Sequence, residues 1–264
     1  MPDRLTPNAL RAALGERPFR CFDEVGSTQD IARDWALADP PAPEGAIVIA
    51  ESQTAGRGRQ GRRWVAPPGS ALLVSAIYRP ALAPEHMQRL TMAAGLALAD
   101  VLSPLLGDAF ALKWPNDGLA RGKKLCGILC EAIWLGERLA AVVVGIGLNV
   151  RADFTGTDLA DTATSLETVL GRPVDRVALL AALLPRLDHW VAGAADPAIV
   201  TAWRARLGTL GKRVTIYTAP GQFPSPSYSG VAEDVDEAGA LLVRLESGEV
   251  RRVLAGDVGL GEDE

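Results

Sequence analysis

Apolar and polar positions change rhythm along the chain. Short continuous apolar runs at 46–50 and Ala71–Tyr78 predict buried strands. Between 84 and 106, Met87, Leu90, Ala94, Leu98 and Leu102 recur at three- and four-residue intervals, the stripe of a long core-facing helix. Runs at 109–114, 124–132 and 139–144 predict three more strands, and 176–191 and 197–207 two further helices. Residues 1–20 offer an amphipathic turn or two. Ser27-Thr28-Gln29-Asp30 then places hydroxyl caps ahead of Ile31, Ala32, Trp35 and Ala36, a helix that Pro40, Pro41 and Pro43 end. From Gly211 the rhythm shortens. Strand-like runs at 214–217, 228–235, 240–245 and 250–254 are punctuated by Gly221, Gly230, Gly239 and Gly248, the spacing of a small β-barrel. The expected architecture is α+β: a mixed β-sheet flanked by helices over residues 1–207, then a small β domain over 208–264.

Composition narrows the function. With 48% apolar and 22% charged residues the chain suits an ordinary soluble domain. Its net charge of −5 excludes a general polyanion binder, so any grip on phosphate is local. Three cysteines cannot build a disulfide framework, which points to a reducing cytoplasm. Met1-Pro2-Asp3-Arg4-Leu5 does not open a secretory signal, and the apolar stretches fall short of the roughly 20 residues of a membrane helix. Lysine is rare. Of Lys113, Lys123, Lys124 and Lys212, three fall within twelve positions, a weak pointer to a site beside the plainer alternative of a solvated loop.

Three segments carry candidate chemistry. Gly56-Arg57-Gly58-Arg59-Gln60-Gly61-Arg62-Arg63-Trp64 combines glycines that permit close backbone approach with guanidinium forks that fit carboxylate or phosphate. It reads as a mobile loop. A nucleic-acid patch or a solvated loop are its rivals, and a P-loop is excluded because Arg62-Arg63 stands where Lys and Ser/Thr are required. Lys113-Trp114-Pro115-Asn116-Asp117 leaves a strand through a strong turn sequence, and Lys124 opens the next strand with no acidic partner beside it in sequence. Gly145-Ile146-Gly147-Leu148-Asn149 begins like a dinucleotide fingerprint but lacks the third glycine. It reads as a strand end close to a nucleotide, with Asn149 able to donate to and accept from an adenine edge. His86 and His189 belong to no motif, which disfavours zinc sites and histidine triads. Cys126 and Cys130 alternate with apolar residues and read as buried structural thiols.

Taken in order, these segments resemble the biotin protein ligase family: its Ser-Thr-Asn element at 27–29, its Gly-Arg-Gly-Arg-x-Gly-Arg-x-Trp loop at 56–64, its Lys-Trp-Pro-Asn-Asp at 113–117, its Lys-Leu-x-Gly-Ile-Leu at 124–129 and its Gly-x-Gly-x-Asn at 145–149. The resemblance spans roughly 20–255. It implies a biotin/lipoate ligase-like, class II synthetase-like sheet with an SH3-like C-terminal barrel. It also implies an ATP-dependent enzyme that makes biotinyl-5′-AMP with Mg²⁺ and passes biotin to a lysine of a biotin carboxyl carrier protein. Biotin would be held by Ser27, Thr28, Gln29, Gln53, Arg57, Gly58, Arg59, Trp64, Lys124 and Gly127. The nucleotide would be held by Arg57, Arg59, Arg62, Asn116, Asp117, Lys124 and Asn149, with Lys124 and Arg59 catalytic. Gln29 departs from the family's usual Asn. Only 26 residues precede Ser27, too few for the winged helix–turn–helix of the repressor members, so ligase activity without specific DNA binding is expected. A homodimer stays open. A lipoate–protein ligase and a non-catalytic nucleic-acid-binding module are the competing readings.

Overall fold

Seven strands make the main sheet of the computed structural model, which describes residues 4–217 and 226–261. They are β1 (Phe19–Val25), β2 (Ile47–Gln53), β3 (Ala71–Tyr78), β4 (Phe110–Lys113), β5 (Asp117–Ala120), β6 (Lys123–Leu135) and β7 (Arg138–Asn149), in the order β1-β2-β3-β7-β6-β5-β4. β1 and β2 are parallel and the other neighbours antiparallel, a mixed sheet as expected. The helices are α1 (Pro7–Leu14), α2 (Thr28–Ala36), α3 (Gln88–Leu106), α4 (Leu166–Leu170), α5 (Arg176–Ala192) and α6 (Ala198–Arg204). β1, β5 and α4 carry no apolar run strong enough to announce them. β7 continues past the expected end at 144 to Asn149, so the glycine motif lies inside a strand.

Alternation assigns each strand residue to one face of the sheet. Leu72, Val74 and Ala76 of β3 and Val142, Val144, Ile146 and Leu148 of β7 join the large core beneath α3 and α5. The opposite positions split in two. Ile77, Ala141 and Val143 pack with Ala32 and Ala36 under α2. Beyond α2 the same face carries Ser75, Gly145, Gly147 and Gly127, which border a cavity.

By length and composition 84–109 could cross a membrane, contrary to the expectation from apolar runs, yet 61% of its most apolar window is buried in the protein. There α3 packs between α5, α6 and the sheet as a core helix.

The C-terminal strands are β8 (Arg213–Tyr217), β9 (Pro226–Val235), β10 (Leu241–Arg244), β11 (Val250–Val253) and β12 (Asp257–Leu260). They form an antiparallel sheet in the order β11-β10-β9-β8-β12, and among the described residues no pairing of β11 with β12 closes it. The expected turn at Gly221 lies outside the described residues. Val214, Ile216, Leu241 and Val243 continue the main core. Trp114 fastens the two sheets together. It is 1% exposed, its indole Nε1 donates to Gly239 O at 2.9 Å, and its backbone N–H donates to Thr209 Oγ1 at 2.9 Å.

A buried ion pair ties the chain's early and late segments. Arg176, at the start of α5, donates to Glu51 of β2 at 2.7 and 3.2 Å and to Ala71 O at 3.1 Å, while Leu5 N–H donates to Glu51 at 2.8 Å. Removing one partner strands the other charge. Arg176→Met should lower unfolding stability by about 3–5 kcal/mol in urea titrations, and a loss below about 1 kcal/mol would show the pair to be idle.

Candidate active site

Two cavities open beside the glycine-bearing face and share one wall. The first, about 100 Å³, reaches toward the start of α2. The second, about 460 Å³, lies toward the loop around 154–163. Arg62, Arg63, Trp64, Asp117 and Lys124 line both.

The floor of the first cavity is a hydrogen-bonded chain. Ser27 caps α2, its Oγ accepting from Gln29 N–H at 3.3 Å. Gln53 Oε1 accepts from Thr28 N–H at 2.7 Å, and Thr28 Oγ1 lies 2.9 Å from Ser75 Oγ. Ser75 donates to Gln29 Oε1 at 3.0 Å, while Gln29 Nε2 donates to Val143 O and Leu129 O at 3.1 and 3.3 Å. Both Gln29 N–H bonds are therefore spent inside the sheet. Its extra methylene, relative to Asn, fits because position 145 is glycine: a Cβ there would lie 2.5 Å from Gln29 Oε1. The Trp64 indole lies over the other two glycines. A Cβ on Gly147 would come within 2.6 Å of it, and one on Gly127 within 3.0 Å.

The arginine segment is a hairpin strapped over this floor. Trp64 N–H donates to Gly56 O at 3.0 Å and Gly58 N–H to Arg62 O at 2.7 Å. At its tip Gly61 has positive φ, and so does Gln60, which is not glycine; Gly58 is extended instead and lies close to Arg62 O. Each arginine has a partner. Arg57 bridges Asp30 of α2 and Glu131 of β6. Arg59 donates to Asn116 Oδ1 at 2.9 Å, and Asn116 Nδ2 in turn donates to Ile128 O at 2.8 Å. Arg62 pairs with Asp257 of β12, and Arg63 donates to Thr54 O. Burial lowers the Arg59 pKa, the nearby Asp257 and Asp117 opposing it.

Lys124 is not without an acid. Asp117 Oδ1 lies 2.7 Å from its Nζ, because pairing of β5 with β6 folds the turn back and brings the carboxylate alongside. Lys124 also sits 5.7 Å from the Trp64 ring centre. Asn149 belongs to the second cavity, not the first. Its Nδ2 donates to Thr164 O at 3.1 Å, whereas its buried Oδ1 has no partner. All the other sequence-expected site residues border the first cavity. Ser75, Arg63, Lys113 and Asp257 were not among them. Arg63 and Lys113 lie within segments whose composition marks them as candidate chemistry, whereas Ser75 and Asp257 carry no local signal.

The sequence profile of the Biotin/lipoate A/B protein ligase family matches residues 22–149, and that of the Biotin protein ligase C terminal domain matches 209–261. The Biotin--[acetyl-CoA-carboxylase] ligase of Mycobacterium tuberculosis is 36% identical over 96% of this chain and 93% of its own length. The chain belongs to the biotin protein ligase family. The ligase of the same description from Paracoccus denitrificans is also 36% identical, over 77% of this chain and 85% of its own. Biotin protein ligase from Aquifex aeolicus, solved in complex with biotin and ATP, superposes with a TM-score of 0.74 at 26% identity, covering 93% of this chain and 99% of that one. The ligase fold thus accounts for the mixed sheet and for the C-terminal sheet together.

Ser75 links the floor's two halves. Ser75→Ala leaves the buried Gln29 Oε1 without its donor, so it should cost about 1–3 kcal/mol in denaturant titrations. An unchanged midpoint and slope would show that the hydroxyl is not part of the network.

Proposed function

We propose that this enzyme condenses biotin with ATP to biotinyl-5′-AMP, then transfers biotin to a lysine of a biotin carboxyl carrier protein. The observation that carries the reading is the cationic wall shared by two cavities, one floored by paired amide and hydroxyl groups. Such a floor complements a ureido ring, which both donates and accepts. The dithiolane of lipoate offers it nothing equivalent.

Thr28 and Gln53 face the ureido group, with Ser27 and Gln29 supporting them. Trp64 and the bare backbone of Gly127 and Gly58 line the apolar body of biotin. Its carboxylate reaches the wall between Arg57, Arg59 and Lys124. There one carboxylate oxygen attacks the α-phosphorus of ATP, the bond to the bridging oxygen breaks, and pyrophosphate leaves. In the second step a neutral carrier amine attacks the acyl carbon, AMP departs with the anhydride oxygen, and the amine gives its proton to solvent. Each step brings anions together or develops charge, so fixed cations supply the rate. Arg62 and Asn116 border the phosphate path, and the unpartnered Oδ1 of Asn149 can accept from the adenine amino group. Mg²⁺ brought with ATP would offset phosphate charge, and Asp117, which borders both cavities, is the carboxylate that would help to hold it. This use of ATP suits the cytoplasm. The loop's arginines are engaged by carboxylates and carbonyls, and at net charge −5 the chain is a poor DNA ligand.

The direct test incubates the chain with biotin, MgATP and a purified carrier domain. Mass spectrometry should find the carrier heavier by one biotinyl group, with equimolar AMP; an unmodified carrier would sink the reading. Lys124→Ala should raise the barrier to adenylate formation by about 3–4 kcal/mol in single-turnover measurements. Lys124→Arg should not rescue it, since a planar fork replaces a point charge poorly beside Asp117. Near-normal rates in the alanine variant would remove Lys124 from the chemistry.

The strapped hairpin suggests a lid. Its glycines make ordering costly, and its arginines supply compensating contacts when an anionic ligand is bound. Arg59→Gly breaks the strut to Asn116, so the variant should still make adenylate but release it, biotinylating bystander proteins. Hydrogen exchange across 53–66 should slow on ligand binding in the wild-type protein. Equal protection in both states, with the variant labelling only the true carrier, would make the loop a rigid wall.

A further inference from the structure

Biotinyl-5′-AMP is reactive toward the enzyme that holds it. A neutral amine adds to the acyl carbon of this mixed anhydride, the C–O bond to phosphate breaks, AMP leaves with that oxygen, and the amine's proton goes to solvent. Any accessible lysine is therefore an acceptor. A guanidinium is not, because it stays protonated and its nitrogen electrons are delocalised. The two basic residue types carry the same charge but differ in this chemistry.

The chain places them differently. Of its 27 lysines and arginines only Lys113, Lys123, Lys124 and Lys212 are lysine. Lysine is ordinarily among the most exposed residue types, yet all four are half-buried, whereas Arg33, Arg138, Arg172 and Arg186 are exposed. Three of the lysines are also held. Lys123 donates to Ala160 O at 2.6 Å, tying β6 to the loop beside the second cavity. Lys124 ion-pairs with Asp117 at 2.7 Å. Lys212 is engaged rather than free. Lys113 is protected by its place instead. Burial lowers its pKa, with Asp117 opposing, which favours the nucleophilic amine. It borders the second cavity and not the first, so it stands apart from an acyl group held over the biotin floor.

We propose that the chain is built as a non-acceptor of its own product: arginine carries the positive charge of its surface, and every lysine amine is withheld from biotinyl-5′-AMP. The inference rests on the function proposed above. Adenylate that leaves the cavity is consumed by the carrier, by another protein or by water. The enzyme's own lysines survive repeated turnover, among them Lys124, on which adenylate formation depends.

The test exposes the native chain and serum albumin, as bystander, to excess synthetic biotinyl-5′-AMP and reads each lysine by peptide mass spectrometry. Albumin lysines should be biotinylated, and the chain's four should react at least ~10-fold more slowly, the factor that one charge-assisted hydrogen bond withholds. Arg172→Lys and Arg186→Lys keep the charge at exposed positions that border neither cavity. Each introduced lysine should react at the albumin rate. Unfolding the wild-type chain in guanidinium chloride should raise its own lysines to that rate. Native lysines labelled as fast as those introduced at 172 and 186 would overturn the proposal, and so would introduced lysines that stay unlabelled. If a variant does not fold, the wild-type chain decides alone: equal labelling of its native and unfolded forms would count against the proposal. A carrier domain left unmodified in a parallel incubation with the same adenylate would instead overturn the function proposed above.

Discussion

Side-chain alternation across β3, β6 and β7 is the constraint on which the rest depends. One parity of β7 is Val142, Val144, Ile146 and Leu148 and anchors the core. The other parity changes character along the strand, from Ala141 and Val143 under α2 to Gly145 and Gly147 beyond it. Without side chains there, the sheet cannot support a helix, and the bare backbone admits Gln29 and the Trp64 indole. A one-residue slip in register would put Ile146, with Val144 or Leu148, into the cavity and glycines into the core. The site is therefore a consequence of how the sheet is built.

The same reasoning explains what the sequence made legible. Ala71–Tyr78 is buried on both faces, so its apolar run reads as a strand with correct ends. β5, four residues inside a turn sequence, gives no periodicity to read, and its existence is what brings Asp117 to Lys124. β1 leaves all of its residues partly or fully exposed and so lacks an apolar run. The motif residues were legible because their types are unusual for their places. Ser75 and Asp257 were not: one is a small polar group in a core strand, and the other arrives from β12, far off in sequence, to meet Arg62. Long-range partners of this kind leave no local trace.

Trp114 shows how a motif residue can support a site without facing it. Its neighbours Lys113, Asn116 and Asp117 border the cavities, while its own ring is buried against the C-terminal sheet and bonded to Gly239 O. Together with the Arg62–Asp257 pair, this makes the C-terminal sheet a support for both sides of the shared wall. The wall is cationic but largely neutralised by its own carboxylates, Asp117 and Asp257. Two anionic substrates would release those pairs and take over the cations, so the cost of bringing like charges together is met within the site.

The central claim is that one floored cavity selects biotin and one shared wall couples it to ATP. Its most direct test is incorporation of labelled pyrophosphate into ATP by the purified chain, with biotin, with lipoate, or with neither. The account predicts incorporation with biotin and background with the other two. Incorporation with lipoate equal to that with biotin, or none with biotin, would contradict it.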